Sequence, residues 1–336
     1  MTASIKDVAR IACVSTATVS HTINNTRFVS GAIKERVTAA MKELGYHPNL
    51  VARSLRNQKS KTIGLLIPDI SNFYYPSVAE GVEVTLRKNG YHVILSNSHE
   101  KLTVETEMIK VYNSMFLDGL IMIPALGDHN YLNKALSGNY PVVFVDRRPK
   151  GFEGDCILLD NVKSTYEATK LFVAKGHNRI GLITGYQQLS TTIDRILGYK
   201  TALQDSKMDV EECLIKSGDL SYKSGYELTR EMVKNDKATA LFFASDLMAI
   251  GGLKVLTEEK VKIPEEVAII SCNNFKWTEV TNPSLSVVEQ PSYEVGEKAA
   301  EVLLARIRHA GKQAKFKEYR IPTKIILRES FAMDGR

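Results

Sequence analysis

The chain has 336 residues, 44% hydrophobic and 24% charged, the proportions of a globular protein with a full core and length for two or three folding units. No apolar run reaches membrane-spanning length, and the opening "MTASIKDVAR" carries Asp7 and no hydrophobic stretch, which argues against a membrane protein and a secretory leader. The net charge of +6 sits at one end: residues 1–60 hold nine of the 44 Lys and Arg and three of the 38 Asp and Glu, leaving thirty-five of each in the rest. A basic head on a neutral body points to a polyanion partner for the head alone, the plainer alternative being a soluble basic helix bundle. Cys13, Cys156, Cys213 and Cys272 form no CxxC pair. They imply free thiols in a cytoplasmic protein, no zinc site and no cofactor.

The head predicts three short helices. In "SIKDVARIA", Ser4 caps the first, Asp7 lies in its first turn, and Ile5, Val8, Ala9 and Ala12 share a face. Cys13 and Val14 make a turn. Ser15 then caps a helix from Thr16 to about Asn24, with Val19 and Ile23 on its buried side and Thr16, Ala17, Ser20 and His21 on the other. A third helix, near Gly31 to Leu44, stacks Ile33, Val37, Met41 and Leu44, with Gly45 and Pro48 to end it. Two helices joined by a tight turn are the plan of a helix-turn-helix, whose second helix enters the major groove. Short side chains with hydroxyls and methyls suit that groove, because they approach closely and reach base edges, phosphates and thymine methyls. His21 is assigned to a base edge, against a phosphate-facing or merely exposed histidine. Arg27 is assigned to a phosphate, since phosphate contacts outnumber base contacts.

"NLVARSLRNQKSK" follows as a basic linker with one or two helical turns. From Lys61 the pattern changes to apolar runs of strand length: "TIGLLIPDI", "YHVILSNS", "LDGLIMIPA", "PVVFVDRR", "CILLDN", "RIGLITGY", "ALFFASD", "VAIISCNN" and "LSVVEQP". Helical stretches such as "YPSVAEGVEVTLRKNG" and "SYEVGEKAAEVLLARIRH" separate most of them. That alternation predicts an α/β body of parallel sheets covered on both faces, with ligands held outside the carboxyl ends of the strands. The strands are too many for one modest sheet and predict two lobes with a cleft.

These stretches resemble the lactose-repressor (LacI/GalR) family of bacterial transcription regulators over the whole chain. The head carries the resemblance in "IKDVARIACVSTATVSHTINNTRFVS", the linker in "LGYHPNLVARSLR", and the body in "IGLLIPDISNFYYPSVAEGVE", "DGLIMIP", "LLDN", "GHNRIGLITG" and "FFASDLMAIG". Within the family the head is most similar to those of purine and ribose repressors. The resemblance implies a helix-turn-helix head over 1–47, a hinge helix over 48–60, and a periplasmic-binding-protein-like body over 61–336. The first lobe takes about 61–160 and 291–320, the second about 161–290 and 321–336. It implies that Ser4, Ser15, Thr18 and Asn24 join the DNA interface, and that Ala52, Arg53, Leu55 and Arg56 of the hinge follow, capped by Asn49. Leu55 acts as a minor-groove wedge that unstacks a base step, the alternative being an ordinary buried linker residue. At Cys13 the family often has Gly or Asn, a departure that is tolerable if this residue avoids the left-handed region.

In the body, the resemblance assigns Asp69, Asn72, Phe73, Arg147, Asp160, Arg195, Asp246 and Gln290 to an effector cleft, with Asn161 beside Asp160. Carboxylates, amides, arginines and an aromatic face suit sugar hydroxyls and C–H surfaces. Singly, each is a loop residue or a helix cap, as Asp69 and Asp246 illustrate. In "SCNNF", Asn273 stands where relatives commonly have an acid. With Arg147 and Arg195 near, this points to an effector carrying a carboxylate or phosphate, or to a sugar in another pose. Trp277 either stacks on that effector or packs. The partners implied are double-stranded operator DNA, a small sugar, sugar derivative or purine, and a second copy of the chain, with no membrane. The end "LRESFAMDGR" leaves no tetramerising heptad. An enzyme is disfavoured, since GxSxG, P-loop and HExxH patterns are missing. A transport-type binding protein lacks a reason for the head, and a docked phosphoprotein coregulator stays an alternative regulator. Leu55→Ala is expected to weaken operator affinity roughly tenfold or more, the scale of a step worth a few kcal/mol, with an unchanged thermal melt; a mobility-shift titration checks it.

Overall fold

The computed structural model describes residues 3–24, 27–46, 60–136, 140–309 and 315–331. The chain forms two compact units, residues 1–60 and residues 61–336. The hinge residues Asn49, Ala52, Arg53, Leu55 and Arg56 lie outside the described residues.

The head holds α1 (Ile5–Ile11), α2 (Thr16–Asn24) and α3 (Gly31–Glu43). Ser4 starts α1 in a reciprocal capping box: its hydroxyl accepts from the Asp7 amide, and the Asp7 carboxylate accepts from the Ser4 amide. Ser15 caps α2 by accepting the Thr18 amide at 3.0 Å. Val8, Ala9, Ala12, Val19, Val37 and Ala40 form the small core. Cys13 has φ of +52°, so the condition set for it in the sequence is not met: the turn between α1 and α2 is left-handed and a side chain strains it.

The body contains two six-stranded sheets. In chain order the strands are β1 (Thr62–Ile67), β2 (His92–Asn97), β3 (Gly119–Met122), β4 (Val142–Val145), β5 (Asp155–Leu159), β6 (Ile180–Thr184), β7 (Ile215–Ser217), β8 (Ala240–Phe243), β9 (Ala268–Cys272), β10 (Ser286–Glu289), β11 (Glu318–Ile321) and β12 (Lys324–Ile326). The first sheet runs β11-β5-β4-β3-β1-β2, all parallel; the second runs β12-β10-β9-β8-β6-β7, parallel except for β12 against β10. Alternate residues of β1 serve opposite faces. Ile63, Leu65 and Ile67 pack under helices Tyr74–Lys88 and Ser292–Arg308, while Leu66 joins the cluster beneath helix Leu102–Ser114. The chain passes between sheets after β5, after β10 and between β11 and β12, so three crossovers tie the lobes.

Nine of these strands correspond to the apolar runs of the sequence. β7, β11 and β12 do not: they are short, half-exposed and at sheet edges, where charged residues such as Glu318, Arg320 and Lys324 are tolerated.

Helices Tyr74–Lys88 and Ser292–Arg308 touch backbone to backbone. A methyl on Gly296 would collide with the Val78 carbonyl, and one on Gly81 with the Tyr293 carbonyl. Gly296→Ala is therefore expected to cost about 1–3 kcal/mol by overpacking, read as a lowered thermal midpoint. Cys13→Gly should act the other way in the head, gaining about 0.5–1 kcal/mol once the added chain entropy is counted; slower amide exchange across α1 and α2 of the intact protein checks it.

Candidate DNA interface and effector cleft

On α2, Val19 is buried, whereas Thr16 and Ala17 are exposed and Thr18, Ser20 and His21 half-exposed. The outward face is thus small and polar, as a groove requires. Asn24 ends the helix. Ser4 and Arg27 are exposed, as are Lys6, Arg10, Lys34, Arg36 and Lys42. Ser4 and Ser15 already serve as helix caps, and Thr18 shares a hydroxyl contact of 2.9 Å with Ser15, so each would meet DNA from a fixed rotamer. Phe28, not singled out in the sequence, is 96% exposed.

The cleft lies at the carboxyl ends of the central strands of both sheets, where strand order reverses in an open α/β fold. Asp69 follows β1. Its carboxylate accepts from the Ser71 amide at 2.9 Å and hydroxyl at 2.7 Å. Asn72 accepts the Tyr74 amide at 2.9 Å. Both therefore shape the turn that brings Phe73, Tyr74 and Tyr75 to the cleft. Phe73 meets Phe275 of the other lobe, ring centroids 5.5 Å apart.

Arg147 follows β4 and is buried. It donates to Glu100 through Nη1 at 2.8 Å and Nη2 at 2.6 Å, to the Pro124 carbonyl at 3.0 Å and to the Tyr75 hydroxyl at 3.0 Å. Asp146, with φ of +65°, is pushed up by burial and pulled down by Arg147 and by Arg195 of helix Ser190–Asp205. Both arginines named in the sequence are thus within reach of a carboxylate of the protein itself.

From the second lobe comes Asp246, at the start of helix Asp246–Glu258. It does not cap that helix: both its oxygens are buried without a hydrogen-bond partner among the described residues. Burial raises its pKa to about 6; neighbouring backbone amides oppose the rise, and Asp69 across the cleft adds to it. The Arg195 Nε, Asn273 Oδ1, Gln290 Nε2 and Asn161 Oδ1 are likewise buried and unpartnered, as are the Tyr74 and Ser245 hydroxyls. Asp160 and Gln290 lie on crossovers; Asp160 caps helix Asn161–Ala174 by accepting the Lys163 amide at 3.3 Å. Trp277 packs against the core of the second lobe, which favours its packing role, although its Nε1 is buried without a partner.

Sequence reasoning missed Tyr74, Tyr75, Glu100, Asp146, Tyr186 and Ser245. Glu100, Asp146, Tyr186 and Ser245 lie within three residues of a strand's carboxyl end, where the sequence already expects ligands, whereas Tyr74 and Tyr75 open the helix that follows β1.

Residues 4–49 match the model of bacterial regulatory proteins of the lacI family, and residues 169–331 match the periplasmic binding protein-like domain. The chain is 35% identical over 308 residues to the HTH-type transcriptional repressor PurR of Vibrio atlanticus (strain LGP32), covering 91% of this chain and 92% of the relative. It is 32% identical over 330 residues to the ribose operon repressor of Haemophilus influenzae (strain ATCC 51907 / DSM 11121 / KW20 / Rd), covering 98% of each. Among solved structures, a complex of the transcriptional regulator CelR with cellobiose matches with a TM-score of 0.74 at 28% identity, over 98% of this chain and 99% of that one. A lacI-type head, a two-lobed body and relatives of matching length give one conclusion: this chain belongs to the lacI family of bacterial regulatory proteins.

Proposed function

We propose that this protein is a cytoplasmic repressor that binds a near-palindromic operator as a homodimer and releases or grips it according to a neutral, hydroxyl-rich effector in the cleft. The outward face of α2, with Thr16, Ala17, Ser20 and His21, reads base edges. Arg27 and the exposed basic residues hold phosphates, and residues 48–60 serve as the hinge with Leu55 as its wedge. Ser4, Ser15, Thr18, Asn24, Ala52, Arg53 and Arg56 complete that interface. A relative named for the ribose operon and a related regulator's complex with cellobiose support a sugar.

The observation that carries the effector reading is the set of buried polar atoms left without partners where the two lobes face each other. Such atoms are costly in an interior unless something hydrogen-bonds them. Asp246, Arg195, Asn273 and Gln290 offer acceptors and donors from one lobe and its crossover, the Tyr74 hydroxyl from the other. A polyol, whose hydroxyls both give and take, satisfies that mixture.

The pH dependence of Asp246 follows from its raised pKa of about 6. The folded protein holds this proton more tightly than the unfolded chain does. Its contribution therefore falls as pH rises from about 4, and the penalty is complete above about 6. Asp246→Asn removes the penalty. Without ligand, the variant is expected to be more stable than the parent at pH 7.5 by up to about 3 kcal/mol, with the gap closing toward pH 4, as read by denaturant titration. The same variant should lose sugar binding, and with it sugar-dependent change in operator affinity, while sugar-free operator binding persists. A sugar response unchanged in Asp246→Asn would refute the cleft assignment.

A further inference from the structure

The charges around the cleft do not suit an anion. Arg147 is the cation nearest the first lobe's strand ends, and Glu100 already occupies both of its terminal nitrogens in a bidentate pair. Its remaining nitrogen, Nε, faces Asp146 at 3.7 Å. Arg195 shares its field with the same Asp146. Glu100 and Asp146 thus offset the two arginines, and Asp69 and Asp246 remain uncompensated. An incoming carboxylate or phosphate would meet excess negative charge among buried groups, where like charges repel strongly.

Glu100 reaches this position at a conformational cost. His99 and Glu100 have φ of +53° and +54°, two successive left-handed residues with side chains, a state that persists only where the surroundings enforce it. The Glu100 amide donates to the Pro68 carbonyl at 3.0 Å and the His99 amide to Asn97 Oδ1 at 3.2 Å. The loop is thereby fastened to the end of β1 and aimed at Arg147. Glu100 and Arg147 also act electrostatically on Tyr186 of the opposite lobe, so the pair faces the cleft, and the Glu100 side chain is 21% exposed there.

We infer that Glu100 is a specificity-determining residue of this cleft: by holding both terminal nitrogens of Arg147 it keeps the guanidinium from the effector, so that the site takes neutral hydroxyl-donating ligands and rejects carboxylate- and phosphate-bearing ones. This rests on the cleft being the effector site. It replaces the anionic effector expected from Arg147, Arg195 and Asn273 in the sequence.

The test uses the intact protein and probes that differ in charge: D-ribose against D-ribose 5-phosphate, cellobiose against cellobionate, and inorganic phosphate alone, each titrated calorimetrically. The parent protein should bind an anionic probe at least tenfold more weakly than its neutral partner. Glu100→Gln should shift that ratio at least tenfold toward the anion, or create phosphate binding where the parent has none, and adding Arg147→Met should abolish the gain. Glu100→Thr serves where the amide variant does not fold. Equal or tighter anion binding by the parent overturns the inference, and so does a folded Glu100 variant with neither a shifted ratio nor gained phosphate binding. Asp246→Asn separates the two readings: if it removes neutral-sugar binding while the Glu100 variants change nothing, the cleft stands and the role of Glu100 falls. If neutral-sugar binding survives Asp246→Asn, the cleft assignment itself falls.

Discussion

A carboxylate buried without a partner is the constraint around which the body is arranged. Asp246 has no exposed surface, and neither of its oxygens makes a hydrogen bond of good geometry among the described residues; only the backbone amides of its own helix turn act on it favourably. Interiors normally supply such a group with a hydrogen bond or counter-ion. Here the nearest charge across the cleft, Asp69, is of the same sign. The unpartnered atoms of Asn273, Arg195 and Gln290 extend the same deficit. Two full hydrophobic cores on each sheet make this tolerable, because the strands that present these atoms are anchored by Ile, Leu, Val and Phe on both faces. Rigid sheets hold the polar ends in place, and the deficit is what a guest relieves.

What holds the lobes together outside the pocket is weaker. Arg148 of the first lobe reaches Asp194 of the second at 3.2 Å and its amide donates to the Ser190 hydroxyl at 2.9 Å. Arg320 approaches the same Asp194 at 4.0 Å. The Arg148 and Arg320 side chains are 31% and 40% exposed, and pairs so placed contribute about 0–1 kcal/mol each. The Phe73–Phe275 contact adds an aromatic pair of about 0.5–1.5 kcal/mol. These contacts are few and individually weak, and three crossovers join the lobes. A guest satisfying several buried donors and acceptors at once would contribute more than these latches do, as the proposed effector role requires.

Much of this was legible in the sequence because its signals were local. The α1–turn–α2 unit followed from Ser4, Ser15 and the spacing of Val8, Ala12, Val19 and Ile23. The eight interior strands followed from continuous apolar runs, which a strand buried on both faces must have, and the edge strand β2 from the shorter run "HVIL". β11 and β12 were illegible because "EYRIPTKII" pairs at sheet edges and needs no such run. The family resemblance pointed to Arg147 and Asp246 but not to their state. That Arg147 is consumed by Glu100, forty-seven residues away, depends on a left-handed loop and on which strands neighbour one another. A lone sequence specifies neither. For the same reason Asp69 looked equally good as ligand group or turn former, and only its bonds to Ser71 show that it already does the second.

The division of charge limits how regulation can work. The body carries equal numbers of acidic and basic side chains, so it supplies little general attraction for a phosphate backbone; the head supplies that alone. A neutral effector adds no charge to the body and cannot tune DNA binding through the long-range field. On the proposed reading, the influence of such an effector would have to be geometric rather than electrostatic. Linkage then bounds the effect: operator affinity shifts only as far as the effector's affinities for the two lobe arrangements differ, and a hundredfold difference amounts to about 2.8 kcal/mol. Two or three hydrogen bonds to buried charged groups, each worth about 1.5–3 kcal/mol, reach that figure. If the cleft is the effector site, its few unpartnered groups would thus be enough to set such a shift without any change in the cations of the head.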